Sequence, residues 1–160
     1  MERVAAEEIP GARAELRRRG ERLYAEFAAL LEELAPGRAP VAEFPAYPDV
    51  VSGGRPLSFG YYRQVSFADP PNRPGLRERA EVLLSAWELT VSRSDSGSVV
   101  LHARRADARI RLHFHPRRGL TLCRADTEPM AIHRPEEPGV AEPVAPPGRR
   151  SSGAGRGGGQ

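Results

Sequence analysis

Hydrophobic and polar residues alternate along the segment from Ser98 to His115. Because successive side chains of a strand point to opposite faces, this alternation predicts a β-hairpin with one face on a core and the other in water. The predicted core face consists of Val99, Leu101, Ala103, Ile110, Leu112 and Phe114. The opposite face carries His102, Arg104, Arg109, Arg111, His113 and His115. The water-facing side of the hairpin is therefore predicted to be positively charged.

Two other segments have the spacing of amphipathic helices. Between residues 11 and 34, and again between 74 and 88, large apolar residues recur three, four or seven positions apart, which places them on one stripe of a helix. Pro36 and Gly37 follow the first segment and predict its end. The two stripes are Leu16, Leu23, Phe27, Leu30, Leu31 and Leu34, and Leu76, Ala80, Leu83, Leu84 and Trp87. Each stripe is expected to pack on a sheet.

The remaining strands follow from alternation and from turn residues. Residues 57–67 alternate and predict a first strand, with Arg63 as the charged residue on its apolar face, whereas the Pro- and Gly-rich residues 37–56 predict a loop. A turn at 95–97, with Gly97 left-handed, begins a meander. Two further turns, around 106–107 and 116–119, continue it. They pair Leu101 with Leu112, Phe114 with Leu120 and Leu112 with Leu122.

These elements predict a two-layer α+β fold in the order α-β-α-β-β-β-β, with two helices packed on one face of a mainly antiparallel five-stranded sheet. The expected domain spans residues 11–125, after a flexible N-terminus at 1–10. Residues 126–160 are rich in Pro, Gly and Arg and hold too few apolar side chains to offset ordering entropy, so they are expected to be a disordered tail. Deletion of residues 129–160 is accordingly expected to leave the unfolding midpoint almost unchanged.

Charge is concentrated on the predicted sheet. The 160 residues carry a net charge of +3, and every one of the 24 basic residues is arginine. Residues 89–125 contain eight Arg and two Asp, a net +6. A field of this sign attracts anions or an acidic partner. The use of arginine itself says little, because the joint abundance of Ala, Gly, Pro and Arg is also typical of G+C-rich coding.

The sequence contains no recognisable catalytic or nucleotide-binding motif. No P-loop, dinucleotide fingerprint or nucleophile elbow occurs, so we expect a protein that is not an enzyme and has no cofactor. His102, His113 and His115 form a possible metal patch, but the neighbouring arginines oppose a cation and no carboxylate is expected on this face, so no metal is predicted. The single cysteine, Cys123, excludes an intrachain disulfide and is expected to be a structural, unreactive thiol.

Three segments carry a resemblance to a known family. They are LLEELAPG at Leu30 to Gly37, ERAEVLLSAWEL at Glu78 to Leu89, and SDSGSVVL at Ser94 to Leu101. Together with the order of elements over about residues 11–125, they resemble small actinobacterial secreted lipoproteins of the LppA-like type. Those proteins carry a signal peptide and a lipidated cysteine, both of which this sequence lacks. The resemblance implies no catalytic residues.

The sequence therefore predicts a non-catalytic interaction module that binds a protein or a small anionic ligand through the basic sheet face. The expected site is His102, Arg104, Arg109, Arg111 and His113. A nucleic-acid-binding domain that uses the same face and the arginine-containing tail is the alternative, disfavoured because the face lacks aromatic residues for base stacking. With no apolar leader and no membrane span, the expected location is the cytoplasm, or the cell envelope if an export signal lies upstream.

Overall fold

The computed structural model describes residues 7–38, 44–52 and 57–134. Two helices and seven strands follow in the order α1 (Ala12–Leu34), β1 (Asp49–Ser52), β2 (Ser58–Gly60), β3 (Tyr62–Ser66), α2 (Leu76–Leu83), β4 (Glu88–Arg93), β5 (Val99–Arg105), β6 (Ala108–His115) and β7 (Gly119–Thr127). β1 and β2 form a two-stranded sheet, and the other five strands form an antiparallel sheet in the order β3-β7-β6-β5-β4. The predicted α+β class is confirmed.

Most of the meander has the register that the turns predict. Leu101 pairs with Val91 on one side and with Leu112 on the other, and Phe114 pairs with Leu120. Gly97 has a φ of 88°, the left-handed conformation required by a three-residue loop, and the Ser94 N–H donates to the Ser98 carbonyl. The six core positions predicted for the hairpin are all buried.

Both helices lie on the inner face of this sheet. The whole predicted stripe of α1 is buried, and its C-terminal half joins Leu76, Ala80 and Leu84 over the sheet in one large core. The N-terminal half of α1 belongs to a second, smaller core with β2. Trp87, expected in the core, is only partly buried and packs against its edge, under the Arg105 guanidinium at 4.3 Å from the ring centroid.

Three elements differ from their predictions. The predicted strand at 57–67 is two strands that separate at Tyr61 and belong to different sheets. Its side chains Phe59, Tyr61, Val65 and Phe67 are nevertheless all buried, as the alternation predicts. Within the predicted loop, Asp49–Ser52 forms β1, which pairs with β2. α2 spans Leu76–Leu83 rather than 74–88, because Gly75 begins it in a left-handed conformation and the chain turns before β4.

The ordered fold extends beyond both predicted domain boundaries. β7 continues through Thr127, and the segment after it pairs with both β2 and the N-terminal segment. The N–H groups of Phe59 and Ile9 donate to the carbonyls of Met130 and Ile132. Ile132 is 1% exposed, within the smaller core. The flexible N-terminus and the tail were therefore predicted too long, and their remaining parts, 1–6 and 135–160, lie outside the described residues.

One pairing in the predicted meander is wrong. A β-bulge between β6 and β7 adds Thr121 to β7, so that Leu112 pairs with Cys123 rather than with Leu122. Since one extra residue exchanges the two faces of a strand, Cys123 is fully buried and Leu122 is on the outer face. Arg111 is opposite Arg124, also on the outer face.

Candidate functional site

The outer face of the five-stranded sheet, the face opposite the helices, carries the predicted basic residues. Three rows of directly paired side chains cross it from β4 to β3. The rows are Glu88, Arg104, Arg109, Asp126 and Tyr62, then Thr90, His102, Arg111, Arg124 and Gln64, then Ser92, Val100, His113, Leu122 and Ser66.

A concavity of about 700 Å³ lies over the first two rows. Four of the five predicted site residues line it, namely His102, Arg104, Arg109 and Arg111. Its lining also includes Glu88, Arg124 and Asp126 on the sheet and Val51 on β1. The hairpin of β1 and β2 thus contributes a wall, and Val51 remains 53% exposed. We call this concavity the outer groove.

His113, the fifth predicted residue, does not line the outer groove. It is half-buried, and burial, followed by the nearby charges of Arg111 and His102, lowers the pKa of its imidazole below 6.5. His115 lies at the turn, where its Nδ1 accepts the backbone N–H groups of Arg117 and Arg118, each at 3.1 Å. His102 is hydrogen-bonded through Nε2 to the Ser92 hydroxyl at 3.1 Å. The histidines therefore have separate local roles.

The expectation that this face carries no carboxylate is wrong. Because β7 continues past the predicted domain end, Asp126 lies among the arginines, and Glu88 on β4 lies opposite Arg104. Arg124 holds Asp126 closely, with Nε at 3.0 and 3.1 Å from the two carboxylate oxygens and Nη2 at 2.9 Å from Oδ1. These hydrogen bonds to Asp126 are the largest influence on Arg124 and raise its pKa. The positive face is therefore partly neutralised at β7.

Arg104, Arg109 and Arg111 form no close ion pair among the described residues. Arg109 is 3.9 Å from Glu128 and Arg111 is 4.0 Å from Asp126, both beyond hydrogen-bond length. Within the described part of the chain, Arg104 forms no ion pair. Arg104 and Arg109 are directly opposite each other on β5 and β6, and Arg111 is diagonal to Arg104. Three exposed arginine side chains thus share one patch of the outer face.

Toward β3, the outer face carries an arginine packed on an aromatic ring. The Arg124 guanidinium lies over the Tyr62 ring at 4.6 Å from its centroid, and its Nη1 donates to the Gln64 side-chain oxygen at 3.3 Å. Tyr62 is 41% exposed. Its ring is held in place by a cation above it, so the outer face has one exposed aromatic ring beside the groove, at the β3 edge.

The predicted site omits several residues that line the groove, among them Asp126 and Val51. Asp126 directly follows Ala125, the last residue of the predicted domain, and an extension of the strand by one residue would have included it. Val51 belongs to a short Val-Val strand inside a Pro- and Gly-rich segment, where composition favours a loop. The adjacent valines, which are typical of strands, were the available signal.

Other chemistry is limited on this surface. Cys123 is on the inner face, and burial raises the pKa of its thiol to about 12, which agrees with the expected structural role. In the described ranges, no group of three His, Cys, Asp or Glu side chains is arranged to hold a metal ion. No helix of the described chain is both long and apolar enough to cross a membrane.

Comparison of the chain with protein-family models, with curated proteins and with solved structures finds no match. The resemblance to LppA-like lipoproteins therefore stays a prediction.

Proposed function

We propose that this protein is a non-catalytic binding module whose outer groove takes a small anionic ligand with two or more negatively charged oxygens. The observation that carries the proposal is the cluster of Arg104, Arg109 and Arg111 on two paired strands, where no carboxylate of the described residues lies within hydrogen-bond length of their guanidinium groups. Acidic side chains of a protein partner present the same chemistry and are the second source of such oxygens.

The electrostatics of the cluster support a bound anion. Directly opposed residues have Cβ atoms about 4.5–5.5 Å apart, and like charges at this separation destabilise a sheet. An anion between the guanidinium groups replaces the repulsion with attraction. Arginine also offers paired N–H donors that match carboxylate and phosphate oxygens.

The shape of the groove favours a small ligand. Its volume of about 700 Å³ falls in the range of roughly 300–1,000 Å³ that is usual for small-molecule sites. Val51 supplies an apolar wall, and two carboxylates, Asp126 held by Arg124 on β7 and Glu88 on β4, lie on either side of the positive region. The ligand is therefore expected to place its anionic groups near β5 and β6.

A nucleic acid is the second candidate, and one observation favours it. Tyr62 is exposed on the same face, beside Arg124, and an aromatic ring next to an arginine is the usual platform for base stacking. Tyr62 is a single ring beside the groove and could stack with one base, whereas proteins that bind single-stranded nucleic acids use several aromatic rings.

The test compares two double variants with the same loss of charge. Arg109→Gln with Arg111→Gln removes the cluster, and Arg117→Gln with Arg118→Gln removes two exposed arginines from the turn outside the groove. Isothermal titration uses tripolyphosphate, an aspartate-rich peptide and a random DNA oligonucleotide. We expect tripolyphosphate affinity to fall at least tenfold in the groove variant and to change little in the turn variant. Stability of the groove variant should be equal to or above that of the parent.

The other arms separate the sources of the anion. Tighter binding of the peptide than of tripolyphosphate would assign the groove to a protein partner. Tightest binding of the oligonucleotide, with loss on Tyr62→Ala, would favour the nucleic-acid reading instead. Equal loss in the two double variants, or binding of none of the three probes by the parent, would overturn the proposed site.

A further inference from the structure

β4 forms one edge of the five-stranded sheet and pairs only with β5 among the described residues. Its register against β5 is regular from Glu88 to Arg93, with no bulge. The strand contains no proline or glycine, and its charges are confined to its first and last residues. Proteins usually protect an edge strand with a bulge, a proline or central charges, because its free N–H and C=O groups otherwise pair with another strand. β4 has none of these devices.

The opposite edge is different. At β3, the hydroxyl of Tyr24 on α1 donates to the Tyr62 carbonyl. Arg63 and Gln64 place a charged and a polar side chain in the middle of that strand. The contrast indicates that β4 is the edge open to a partner.

Apolar surface accompanies the open edge of β4. Val91 is 45% exposed although it faces the helix side of the sheet, opposite the fully buried Leu101. Leu89, two residues earlier on the same face, is only partly buried at the margin of the large core. α2 ends at Leu83 and leaves these side chains incompletely covered.

We infer that β4 pairs antiparallel with β4 of a second copy of this chain, with Thr90 opposite Thr90 and the five-stranded sheets joined into one of ten strands. A two-fold axis perpendicular to the sheet keeps the two outer faces on the same side. In this register Leu89 is opposite Val91 of the second copy, twice, on the helix side. On the outer face, Glu88 is opposite Ser92 of the second copy, also twice.

The sequence of β4 selects this register over its neighbours. A shift that centres the axis on Val91 places Leu89 opposite the charged Arg93, and a shift that centres it on Leu89 leaves only three strand residues of each copy paired. With Thr90 at the axis, five residues of each strand pair, apolar side chains meet apolar ones, and like charges are kept apart. Thr–Thr and aliphatic pairs are both favourable across antiparallel strands.

Disulfide trapping tests the register. Directly opposite residues have Cα atoms about 4.5–5.5 Å apart, within the roughly 4.4–6.8 Å that a disulfide spans. Full-length Thr90→Cys is therefore expected to form a covalent dimer under mild oxidation. Ser92→Cys alone should not, since its two copies are about 13 Å apart along the strands. A mixture of Glu88→Cys and Ser92→Cys chains should again cross-link. The buried Cys123 gives no background.

Sedimentation velocity tests the dimer without added cysteines. The parent is expected to change from monomer to dimer as its concentration rises, and Val91→Glu to stay monomeric. Because Val91 is exposed in the single chain, its unfolding midpoint in dilute solution should not fall. Ser66→Glu, which adds the same charge at the β3 edge, should still dimerise.

A parent that stays monomeric at every concentration, or Thr90→Cys chains that cross-link no faster than Ser92→Cys chains, would overturn the inference. Since the interface uses none of the groove arginines, failure of anion binding leaves it standing, and its own failure leaves the groove proposal standing.

Discussion

At Gly20, in the middle of α1, there is no room for a side chain. A Cβ built there would lie 2.8 Å from Cδ2 and 2.9 Å from Cγ of Tyr61, and 3.1 Å from the Phe44 ring. The Phe44 ring is stacked on Tyr61 and in edge contact with Tyr24, with both pairs of ring centroids 4.8 Å apart. The rings therefore support one another against displacement.

We predict that Gly20→Ala destabilises the protein, although alanine is the better helix former by about 1 kcal/mol. Overpacking of a core costs about 1–3 kcal/mol, and the stacked rings give the added methyl no space. Denaturant unfolding should show a lower free energy of unfolding for the variant. In a Tyr61→Leu background the same change should cost less. A more stable Gly20→Ala protein would contradict the packing described here.

The sequence predicts the β5 and β6 residues of the outer groove at the residue scale, because period-2 alternation determines the face of each side chain on these strands. Arg104, Arg109 and Arg111 are where the pattern places them. The exchange of Leu122 and Cys123 could not be predicted in the same way. A bulge arises from the fit between two strands, and Thr121, the extra residue, is an ordinary strand former with no local signal.

At the scale of elements, the β5–β6 turn is fastened to α1 by a charged cluster. Arg105 donates to both carboxylate oxygens of Glu26 at 2.6 and 3.1 Å and to Asp107 at 2.7 Å, and Arg22 also pairs with Asp107. Burial alone would raise the pKa of Asp107, but hydrogen bonds and charges from Arg105 and Arg22 outweigh it and lower the pKa below 3.8. The ionised form of Asp107 therefore stabilises the fold.

Asp107→Asn is predicted to lower the free energy of unfolding at pH 7 by about 1 kcal/mol, the upper end of the range for exposed ion pairs, because the Asp107 carboxylate is only partly exposed. A carboxyl group with a depressed folded pKa contributes its full stability above the unfolded value of about 3.9, and loses it as the pH falls through the folded pKa. The difference between variant and parent should therefore shrink in acid. Asp95→Asn removes the same charge from the exposed Ser94–Gly97 turn, away from the cluster, and is the control. If the two variants had the same pH profile, the ion pairs of Asp107 with Arg105 and Arg22 would not contribute to stability.

Elements with a long periodic pattern were predictable, and short ones were not. α1 agrees with its prediction to one residue because six buried positions repeat over its length. β1 has four residues, and its pairing with β2 depends on contacts across a Pro- and Gly-rich connection. For so short a strand, tertiary packing outweighs the local composition that predicted a loop.

At the scale of the whole molecule, the two ends of the described chain close the smaller core. Ile9 and Met130 pack against a cluster that contains Leu16, Phe59 and Ile132. Glu8 and His133 form a bridge, and the Arg134 N–H donates to the Glu7 carbonyl. The prediction of disorder from residue 126 uses the average composition of a long Pro-rich segment. The packing of this segment depends instead on two individual apolar residues, Met130 and Ile132.

The expectation that removal of residues 129–160 leaves the unfolding midpoint unchanged is therefore replaced by its opposite. A chain ending at Glu128 loses Ile132 from the smaller core and the hydrogen bonds that Phe59 and Ile9 make to this segment. Loss of one large core side chain alone costs about 2–5 kcal/mol. A chain ending at Arg134 keeps every described contact and serves as the control. Thermal unfolding followed by circular dichroism should show a midpoint several degrees lower for the first truncation, since about 1 kcal/mol shifts the midpoint of a domain this size by roughly 2–8 °C. Equal midpoints for the two truncated chains would show that the segment from Pro129 to Arg134 contributes nothing to stability, and the domain would then end with β7.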